Sequence, residues 1–303
     1  EALNHGIRNA HEEIIIALDA DTLFTPDTAA MLAARFSDPK VGAVAGNAKV
    51  GNRINLLTRW QALEYVTSQN LDRRAFEKLN CITVVPGAVG AWRRTAVAEA
   101  GGFMNDTLAE DADLTMRIVR NGYKVVYEQS AHAYTEAPQT VAAFINQRFR
   151  WMYGTLQACW KHRSILLRHK GGTLGFIALP NVILFQIAFP LISPVMDFTM
   201  LWTTMEATLN YMQHPADGMS SGFWHCLFYY SLFLSLDMTT ALVAYLFEPD
   251  EDWRLLPWLL LQRFFYRQLM YYVAIRSFLA ALRGPRVGWG RVQRYGSVQA
   301  TNQ

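Results

Sequence analysis

The sequence is poor in charged residues, and the shortage is concentrated in one region. Charged residues make up 17% of the 303 residues, against about 25% in a typical soluble domain. Residues 1–150 carry an ordinary share of charge, whereas residues 172–247 carry almost none. The net charge of +3 is too small to indicate a nucleic-acid partner.

Cysteine is also scarce. Cys81, Cys159 and Cys226 lie far apart, and none belongs to a C-x-x-C pair. This excludes a disulfide framework and a cysteine zinc site, and it favours free thiols in a reducing compartment. A signal peptide is not visible. The chain opens without methionine, directly in the helical pattern EALNHGIRNAH, and we expect it to be truncated at its N-terminal end.

Residues 1–160 alternate between strand and helix patterns, which predicts an α/β domain. The apolar run Ile14–Leu18 predicts a parallel strand buried on both faces. Residues 41–50 and 124–128 predict further strands, and residues 81–94 predict a strand, a turn and a second strand. Helices are predicted at residues 1–11, 25–36, 56–79, 95–100, 109–121 and 140–160. A nucleotide-binding α/β domain normally starts with a strand and a turn that hold the nucleotide, and that first part is missing here.

The second half contains long apolar segments. Leu174–Trp202 and Phe223–Phe247 each contain one charged residue and exceed the roughly 20 residues needed to cross a bilayer. Leu255–Leu282 contains three arginines, which predicts an interfacial or pore-facing helix, because a charge at the bilayer centre costs about 3 kcal/mol or more. Prolines 180, 190 and 194 predict kinks in the first segment.

Basic residues flank this region on both sides. They cluster in Lys161–Lys170 and in Arg283–Arg294, and no acidic residue follows Asp252. Lys161–Lys170 is expected in the cytosol because it directly follows the α/β domain, and the positive-inside rule places Arg283–Arg294 there as well. An even number of crossings must then separate them, which the first two apolar segments supply.

Asp19 and Asp21 follow the first apolar run. Ligands of open α/β sheets bind at the carboxyl ends of strands, and carboxylate oxygens suit a Mg²⁺ or Mn²⁺ ion that also contacts a diphosphate. The pair therefore predicts a metal and diphosphate site. A solvated turn is the alternative, because the D-x-D pattern is common.

Glu110 and Asp111 begin a predicted helix. A carboxylate there could act as a general base that removes a proton from an acceptor hydroxyl. Simple helix capping is the alternative, because the helix dipole favours acidic residues at this end. Asp113 is expected on the helix surface or behind the site.

Gln147, Arg150 and Trp151 lie near one face of a predicted helix. An arginine and an indole there could bind a pyrophosphate and stack on a sugar ring, although a membrane-interface helix has the same composition. Gly87 lies in the small-residue segment Val85–Ala91, which would let a ligand approach the backbone or would form only a turn.

The D-x-D, E-D and Q-x-x-R-W elements, in this order and spacing and followed by membrane helices, resemble glycosyltransferase family 2. More narrowly, they resemble the processive synthases of cellulose, chitin, hyaluronan and poly-N-acetylglucosamine. The Q-x-x-R-W element is the specific part, and Ala109 stands where the family usually has threonine. The resemblance implies a GT-A-like domain, incomplete at its N-terminus, over residues 1–160, followed by interfacial and transmembrane helices over residues 161–303.

The resemblance also implies roles for the site residues. Asp19 and Asp21 would contact UDP and a Mg²⁺ or Mn²⁺ ion, and Asp111 would be the catalytic base with Glu110 beside it. The pyrophosphate and the acceptor would be held by Gln147, Arg150, Trp151 and, lining the acceptor site, Gly87.

The implied reaction transfers a sugar from a UDP-sugar to the nonreducing end of a growing polysaccharide and inverts the anomeric centre. The resemblance implies that the enzyme lies in the cell (inner) membrane and that several of its helices cross it. The catalytic domain would lie in the cytoplasm. We favour N-acetylglucosamine over glucose, because NCITVVPGAVGAWRR and the short membrane region resemble the chitin-type and poly-N-acetylglucosamine enzymes.

Other functions stay open. A family 2 enzyme that makes a lipid-linked or short glycan is the nearest alternative, and a non-catalytic nucleotide-sugar binder is another. A transporter with an α/β appendage is disfavoured, because the sequence has no duplicated hydrophobic halves. No residue identifies an export or accessory subunit.

Overall fold

The structure is a computed structural model that describes residues 2–284 and residue 296. The basic tail from Arg286 to Arg294 lies outside these residues, and its cytosolic location stays a prediction.

The first half of the chain forms a five-stranded sheet around a parallel pair of strands. The parallel pair is β3 (Val41–Val50) and β5 (Lys124–Thr135), and β3 is buried along its whole length. The order is β1-β4-β3-β5-β2, in which β1 (Ile14–Ala17), β2 (Thr22–Phe24) and β4 (Gly90–Arg93) run antiparallel to their neighbours. This mixed sheet confirms the α/β class.

The predicted parallel strand at Ile14–Leu18 is wrong in direction and burial. The strand exists, but it pairs antiparallel with β4 at one end of the sheet order, and its side chains are only partly buried. An apolar run indicates a strand, whereas its direction depends on which strand lies beside it.

The strand predicted at residues 81–85 is also absent. This segment buries the side chains of Cys81, Ile82 and Val85 without joining the sheet. The amide of Val85 donates instead to Thr115 Oγ1 at 3.0 Å. The apolar residues of this segment therefore reflect burial in the core and not membership of a strand.

Helices pack against the sheet in two separate core clusters. One cluster contains Leu32 and Leu63, and the other contains Val97 and Leu114. In chain order, the helices of this half are α1 (Ala2–Asn9), α2 (Thr28–Ala34), α3 (Leu56–Glu64), α4 (Leu71–Lys78), α5 (Arg94–Glu99), α6 (Glu110–Arg120) and α7 (Val141–His162). A π-helical turn at Tyr65–Asn70 joins α3 to α4, so that residues 56–78 form one continuous helix.

Two later helices are long and apolar enough to cross a membrane. They are Leu174–Gln213, with 40 residues, and Ser221–Leu246, with 26. In the most apolar 18-residue stretch of each helix, only 22% and 6% of the residues, respectively, are buried. A core helix of a soluble protein would be mostly buried. We name the part of the first that follows residue 188 α9 (Phe189–Gln213) and the second α10 (Ser221–Leu246).

The prolines of the first long helix lie within helical backbone. A short helix, α8 (Leu179–Asn181), separates two π-helical turns, Leu174–Ala178 and Val182–Ala188. Each π turn ends two residues before a proline, at positions 180 and 190. Such local adjustments accommodate the backbone groups that a proline leaves unbonded.

The two long apolar helices, Leu174–Gln213 and Ser221–Leu246, form a helical hairpin. Both ends of this hairpin contact the α/β domain. At its start, Leu174 and Leu179 pack in a cluster with Met116 of α6 and Ala158 of α7. At its end, Tyr245 of α10 joins the same cluster as the side chains of β3. The connection between the two helices, residues 214–220, is therefore the end remote from the domain.

The third apolar segment is broken and does not form a single long helix. It consists of α11 (Trp258–Gln262) and α12 (Tyr266–Arg283), separated by a turn at residues 263–265. Helix α12 packs along α7 and also contacts α9.

Two of the segment's arginines point to the acidic residues of the hairpin. Arg263 pairs with Asp197 of α9 at 3.2 Å, and Arg267 pairs with Asp237 of α10. Tyr230 Oη accepts a further hydrogen bond from Arg263 at 2.7 Å. These two pairs therefore neutralise two of the segment's three arginines with the acidic residues Asp197 and Asp237.

A buried ion-pair network fastens the end of α10 to the sheet. Lys49 of β3 lies 3.2 Å from Glu248 and 3.3 Å from Glu251, and all three side chains are buried. Arg53 binds Glu251 at 2.6 Å, and Arg74 binds Glu248 at 2.7 Å. We call these five residues the Lys49 network.

We predict that Glu248→Ala lowers the free energy of unfolding by about 3 kcal/mol, because it leaves Lys49 and Arg74 without a shared partner in a buried site. Equilibrium denaturation of the purified protein in detergent measures this change. Glu99→Ala removes an exposed carboxylate of α5 and serves as the control, with stability close to that of the wild type. Equal stability of the two variants would contradict the prediction.

Candidate functional site

Three carboxylates and a glycine from distant parts of the sequence lie close together. Asp19 follows β1, and a Cβ atom added to Gly87 would lie 3.5 Å from its Oδ1. The charge of Asp19 also contributes to the raised pKa values of Glu110 and Asp111, after the larger effect of burial. The structure thus brings together four of the residues singled out from the sequence.

Asp111 is a partly buried carboxylate at the N-terminus of α6. Burial raises its pKa to about 6, and the charges of Glu110 and Asp19 add to this effect. The amide of Ala112 donates to its Oδ1 at 2.8 Å, which partly opposes the shift. A carboxylate with this pKa is mostly ionised at neutral pH and can still accept and release a proton in that range.

The backbone of Asp111 is fixed by neighbouring segments. Thr115 Oγ1 donates to the Asp111 carbonyl at 2.7 Å and accepts from the amide of Val85 at 3.0 Å. The segment that carries Gly87 and the helix that carries Asp111 are therefore tied together one turn behind the carboxylate.

Asp113 joins α6 to the end of α7. Its fully buried carboxylate lies 3.0 Å from both Lys161 Nζ and His162 Nε2, and 2.9 Å from Arg117 Nε. Burial would raise the pKa of Asp113, but the hydrogen bonds from His162 and Lys161 and the charge of Arg117 lower it to about 2. Of the two positions expected for Asp113 from the sequence, a place behind the site fits its burial better than a place on the helix surface.

The predicted binding residues of α7 share one helical face. Gln147, Arg150, Trp151 and Gly154 are spaced i, i+3, i+4 and i+7, which places them along a single stripe. At Gly154 the helix touches the residue before the E-D pair, since an added Cβ atom would lie 2.5 Å from the amide nitrogen of Ala109.

A second contact fixes the same segment, because Gln157 Oε1 accepts from the amide of Leu108 at 2.9 Å. Gln147 is buried, whereas Trp151 is 39% exposed and presents its ring for contact. The stripe therefore includes both a buried amide side chain and an exposed aromatic ring.

Arg148 was not singled out from the sequence, although it belongs to the same motif. It is buried and pairs with Glu64 of α3 at 2.6 Å, while its guanidinium lies 4.5 Å from the centre of the Trp151 ring. Burial would lower its pKa, but the charge of Glu64 raises it. Arg148 thus fixes α7 against α3 and orients Trp151. No local signal identifies it, because Glu64 lies 84 positions away.

Arg73 is a second residue that sequence reasoning missed. It is buried in α4, and a chain of hydrogen bonds connects it to the Lys49 network: Glu248 accepts from Asn47, Asn47 from Asn70, and Asn70 from Arg73. Burial lowers the pKa of Arg73, and the charge of Asp111 is among those that oppose this effect. The base candidate therefore lies within the electrostatic influence of a buried guanidinium.

The carboxylates at the strand end are suited to a divalent cation shared with a substrate. Among residues 2–284 and 296, no group of three or more His, Cys, Asp or Glu side chains forms a ready metal centre. Asp19 and Asp21 could supply two oxygens, and Mg²⁺ commonly takes its remaining ligands from water and substrate phosphates. The repulsion among Asp19, Glu110 and Asp111 is a further reason for a cation to be favourable here.

The family model described as "Glycosyl transferase family group 2" matches residues 14–281, which is most of the chain. The protein belongs to this glycosyltransferase family. The match confirms the resemblance noted from the D-x-D, E-D and Q-x-x-R-W elements.

Two curated relatives of this chain are named as polysaccharide synthases. The poly-β-1,6-N-acetyl-D-glucosamine synthase of Staphylococcus aureus strain COL is 30% identical over 154 residues, and that of Staphylococcus epidermidis is 29% identical over the same length. Each alignment covers 50% of this chain and 37% of the relative. The alignments thus span well under half the length of these relatives.

A solved structure shares the fold. The mannosyltransferase PcManGT from Pyrobaculum calidifontis, in complex with GDP-Man and Mn²⁺, matches with a TM-score of 0.53 and 19% identity, covering 93% of this chain and 65% of that one. This likeness supports the GT-A-like architecture of this family member.

We predict that Gly154→Ala lowers transfer activity by tenfold or more, because its Cβ atom would push α7 away from Ala109 and displace the E-D segment. Steady-state kinetics and circular dichroism would be measured together, and the helical content should be kept. Gly6→Ala is the control, since nothing lies within 4 Å of its added Cβ atom. Unchanged kinetics in Gly154→Ala would show that this contact does not position the site.

Proposed function

We propose that the protein is a membrane-bound, inverting glycosyltransferase that transfers N-acetylglucosamine from a UDP-sugar to the nonreducing end of a growing β-linked polysaccharide. The observation that carries the proposal is Asp111, a partly buried carboxylate at the start of α6 whose pKa is raised to about 6. The names of the curated relatives support the sugar and the polysaccharide product.

In the proposed reaction, Asp111 accepts the proton of the acceptor hydroxyl. The acceptor oxygen forms a bond to the anomeric carbon while the bond from that carbon to the UDP diphosphate breaks. A single displacement of this kind inverts the anomeric centre and gives a β-linkage from an α-linked donor. UDP leaves with the electron pair of the broken bond, and the proton stays on Asp111 until it passes to solvent.

The remaining site residues bind and orient the substrates. Asp19 and Asp21 would hold a Mg²⁺ or Mn²⁺ ion, which when bound offsets the negative charge on the departing diphosphate. Gln147 and Arg150 would donate hydrogen bonds to the pyrophosphate, and Trp151 would stack on the acceptor sugar. Gly87 would leave room for the acceptor beside Asp19.

The membrane location rests on α9 and α10. At about 1.5 Å per residue, these helices of 25 and 26 residues are each longer than the roughly 30 Å hydrocarbon core of a bilayer. Both ends of the hairpin contact the α/β domain, so two crossings would return the chain to the side of catalysis. The paired Arg263 and Arg267 avoid the cost of lipid-facing charges.

We predict that Asp111→Asn lowers transfer by at least a hundredfold while UDP binding stays nearly unchanged, because the amide cannot accept the acceptor proton. Calorimetry with UDP and a transfer assay in the full-length protein would test this. Asp27→Asn, an exposed carboxylate at the start of α2, is the matched control. Turnover like that of the wild type would remove Asp111 from the mechanism.

The pH dependence follows from the same carboxylate. Its pKa is raised, so kcat/KM of the wild type should fall as the pH drops below about 6 and Asp111 becomes protonated. Ionising this partly buried group also costs stability once the pH rises through the range from about 4 to 6. Asp111→Asn should therefore be at least as stable as the wild type at neutral pH. An inactive and strongly destabilised variant would instead indicate a structural role.

We predict that UDP binding requires Mg²⁺ or Mn²⁺ and weakens in Asp21→Ala, since the cation links this carboxylate to the diphosphate. Titration calorimetry of the full-length protein, with each metal and with EDTA, measures the affinity. Asp27→Ala is the control, because this side chain forms no capping hydrogen bond. Undiminished UDP affinity in EDTA would contradict the metal requirement.

A further inference from the structure

A groove lies between α7 and α12, outside the site described above. Its volume is about 390 Å³, and Phe149 of α7 is one of the side chains that line it. Tyr272, Ile275 and Leu279 of α12 contribute apolar walls, and each is exposed by more than a third. The groove therefore presents a strip of apolar surface on α12.

Two arginines lie in the same groove. Arg276 and Arg283 are seven residues apart on α12, or about two helical turns, which places them on one side of the helix. The guanidinium of Arg276 lies 4.6 Å from the centre of the Phe149 ring. Both arginines are exposed, and neither forms an ion pair with a carboxylate in the described part of the chain, unlike Arg263 and Arg267 of the same segment.

An apolar strip flanked by two cations fits an amphiphile with a negatively charged head. A soluble anion would leave the strip uncovered, and a neutral lipid would leave the two guanidinium groups without a counter-charge. Basic pockets between helices at the cytoplasmic surface of a membrane are suited to anionic lipid headgroups. Bidentate hydrogen bonding makes arginine well matched to a phosphate.

We propose that the groove between α7 and α12 binds one anionic phospholipid, whose phosphate contacts Arg276 and Arg283 and whose acyl chain covers Tyr272, Ile275 and Leu279. This proposal rests on the membrane location proposed above. Phe149 stands between Arg148 and Arg150, so a lipid in the groove touches the helix that carries the Q-x-x-R-W residues. The lipid thereby supports α7 from the side opposite its packing on the E-D segment.

Native mass spectrometry of the full-length protein in a neutral detergent tests this proposal directly. The protein is titrated with dioctanoyl phosphatidylglycerol, and the fraction carrying one lipid is counted. Since a surface arginine contributes about fivefold to the binding of an anionic lipid, Arg276→Gln/Arg283→Gln should weaken binding about 30-fold. The control Arg168→Gln/Arg254→Gln removes two exposed charges outside the groove and should change binding by less than about threefold.

Two further ligands separate the contributions of head and chain. Dioctanoyl phosphatidylcholine, which has no net charge, and glycerol 3-phosphate, which has no chain, should each bind at least tenfold more weakly than the phosphatidylglycerol. The proposal is overturned if the groove variant binds phosphatidylglycerol as the wild type does, or if the control loses as much affinity. Equal binding of glycerol 3-phosphate would also overturn it, since the ligand would then be a free phosphate. Lipid counting is independent of glycosyl transfer, so its failure would leave the proposed reaction untouched.

Discussion

The burial of Lys49 between Glu248 and Glu251 is the constraint on which the arrangement of the two halves depends. A buried ammonium group is costly unless it is paired, and both of its partners follow directly after α10. The end of α10 must therefore return to the centre of the sheet, where β3 carries the lysine. After that end, α11 contacts α3 and α12 packs along α7, while the connection of the hairpin lies at the far end.

The same arrangement determines the environment of the candidate base. Helix α7 is held by Arg148 against Glu64 and by His162 against Asp113, so that its Gly154 face stays packed on the segment before Asp111. The partial burial of that carboxylate raises its pKa to about 6. The ion pairs that position α7 and the chemistry proposed for Asp111 are thus parts of one structure.

Local patterns in the sequence predicted most elements, because they depend on neighbours only a few positions away. The strand β3, the helix α7 and the two apolar helices all lie where their periodicity placed them. The direction of β1 and the irregular backbone at residues 81–85 were predicted incorrectly, since both depend on which segment lies alongside. Arg148 and Lys49 gave no signal, because their partners lie 84 and about 200 positions away.

The central claim is that the two long apolar helices form a membrane hairpin with both ends on the side of the α/β domain, one of them fastened by the Lys49 network and the other packed against α6 and α7. Cysteine accessibility tests it most directly, using the full-length protein with Cys81, Cys159 and Cys226 replaced by serine. A single cysteine at Ala216, in the connection between α9 and α10, should react with an impermeant thiol reagent in intact cells. A cysteine at Ala29, an exposed position of α2, should react only after lysis. Labelling of both positions on the same side of the membrane would contradict the account.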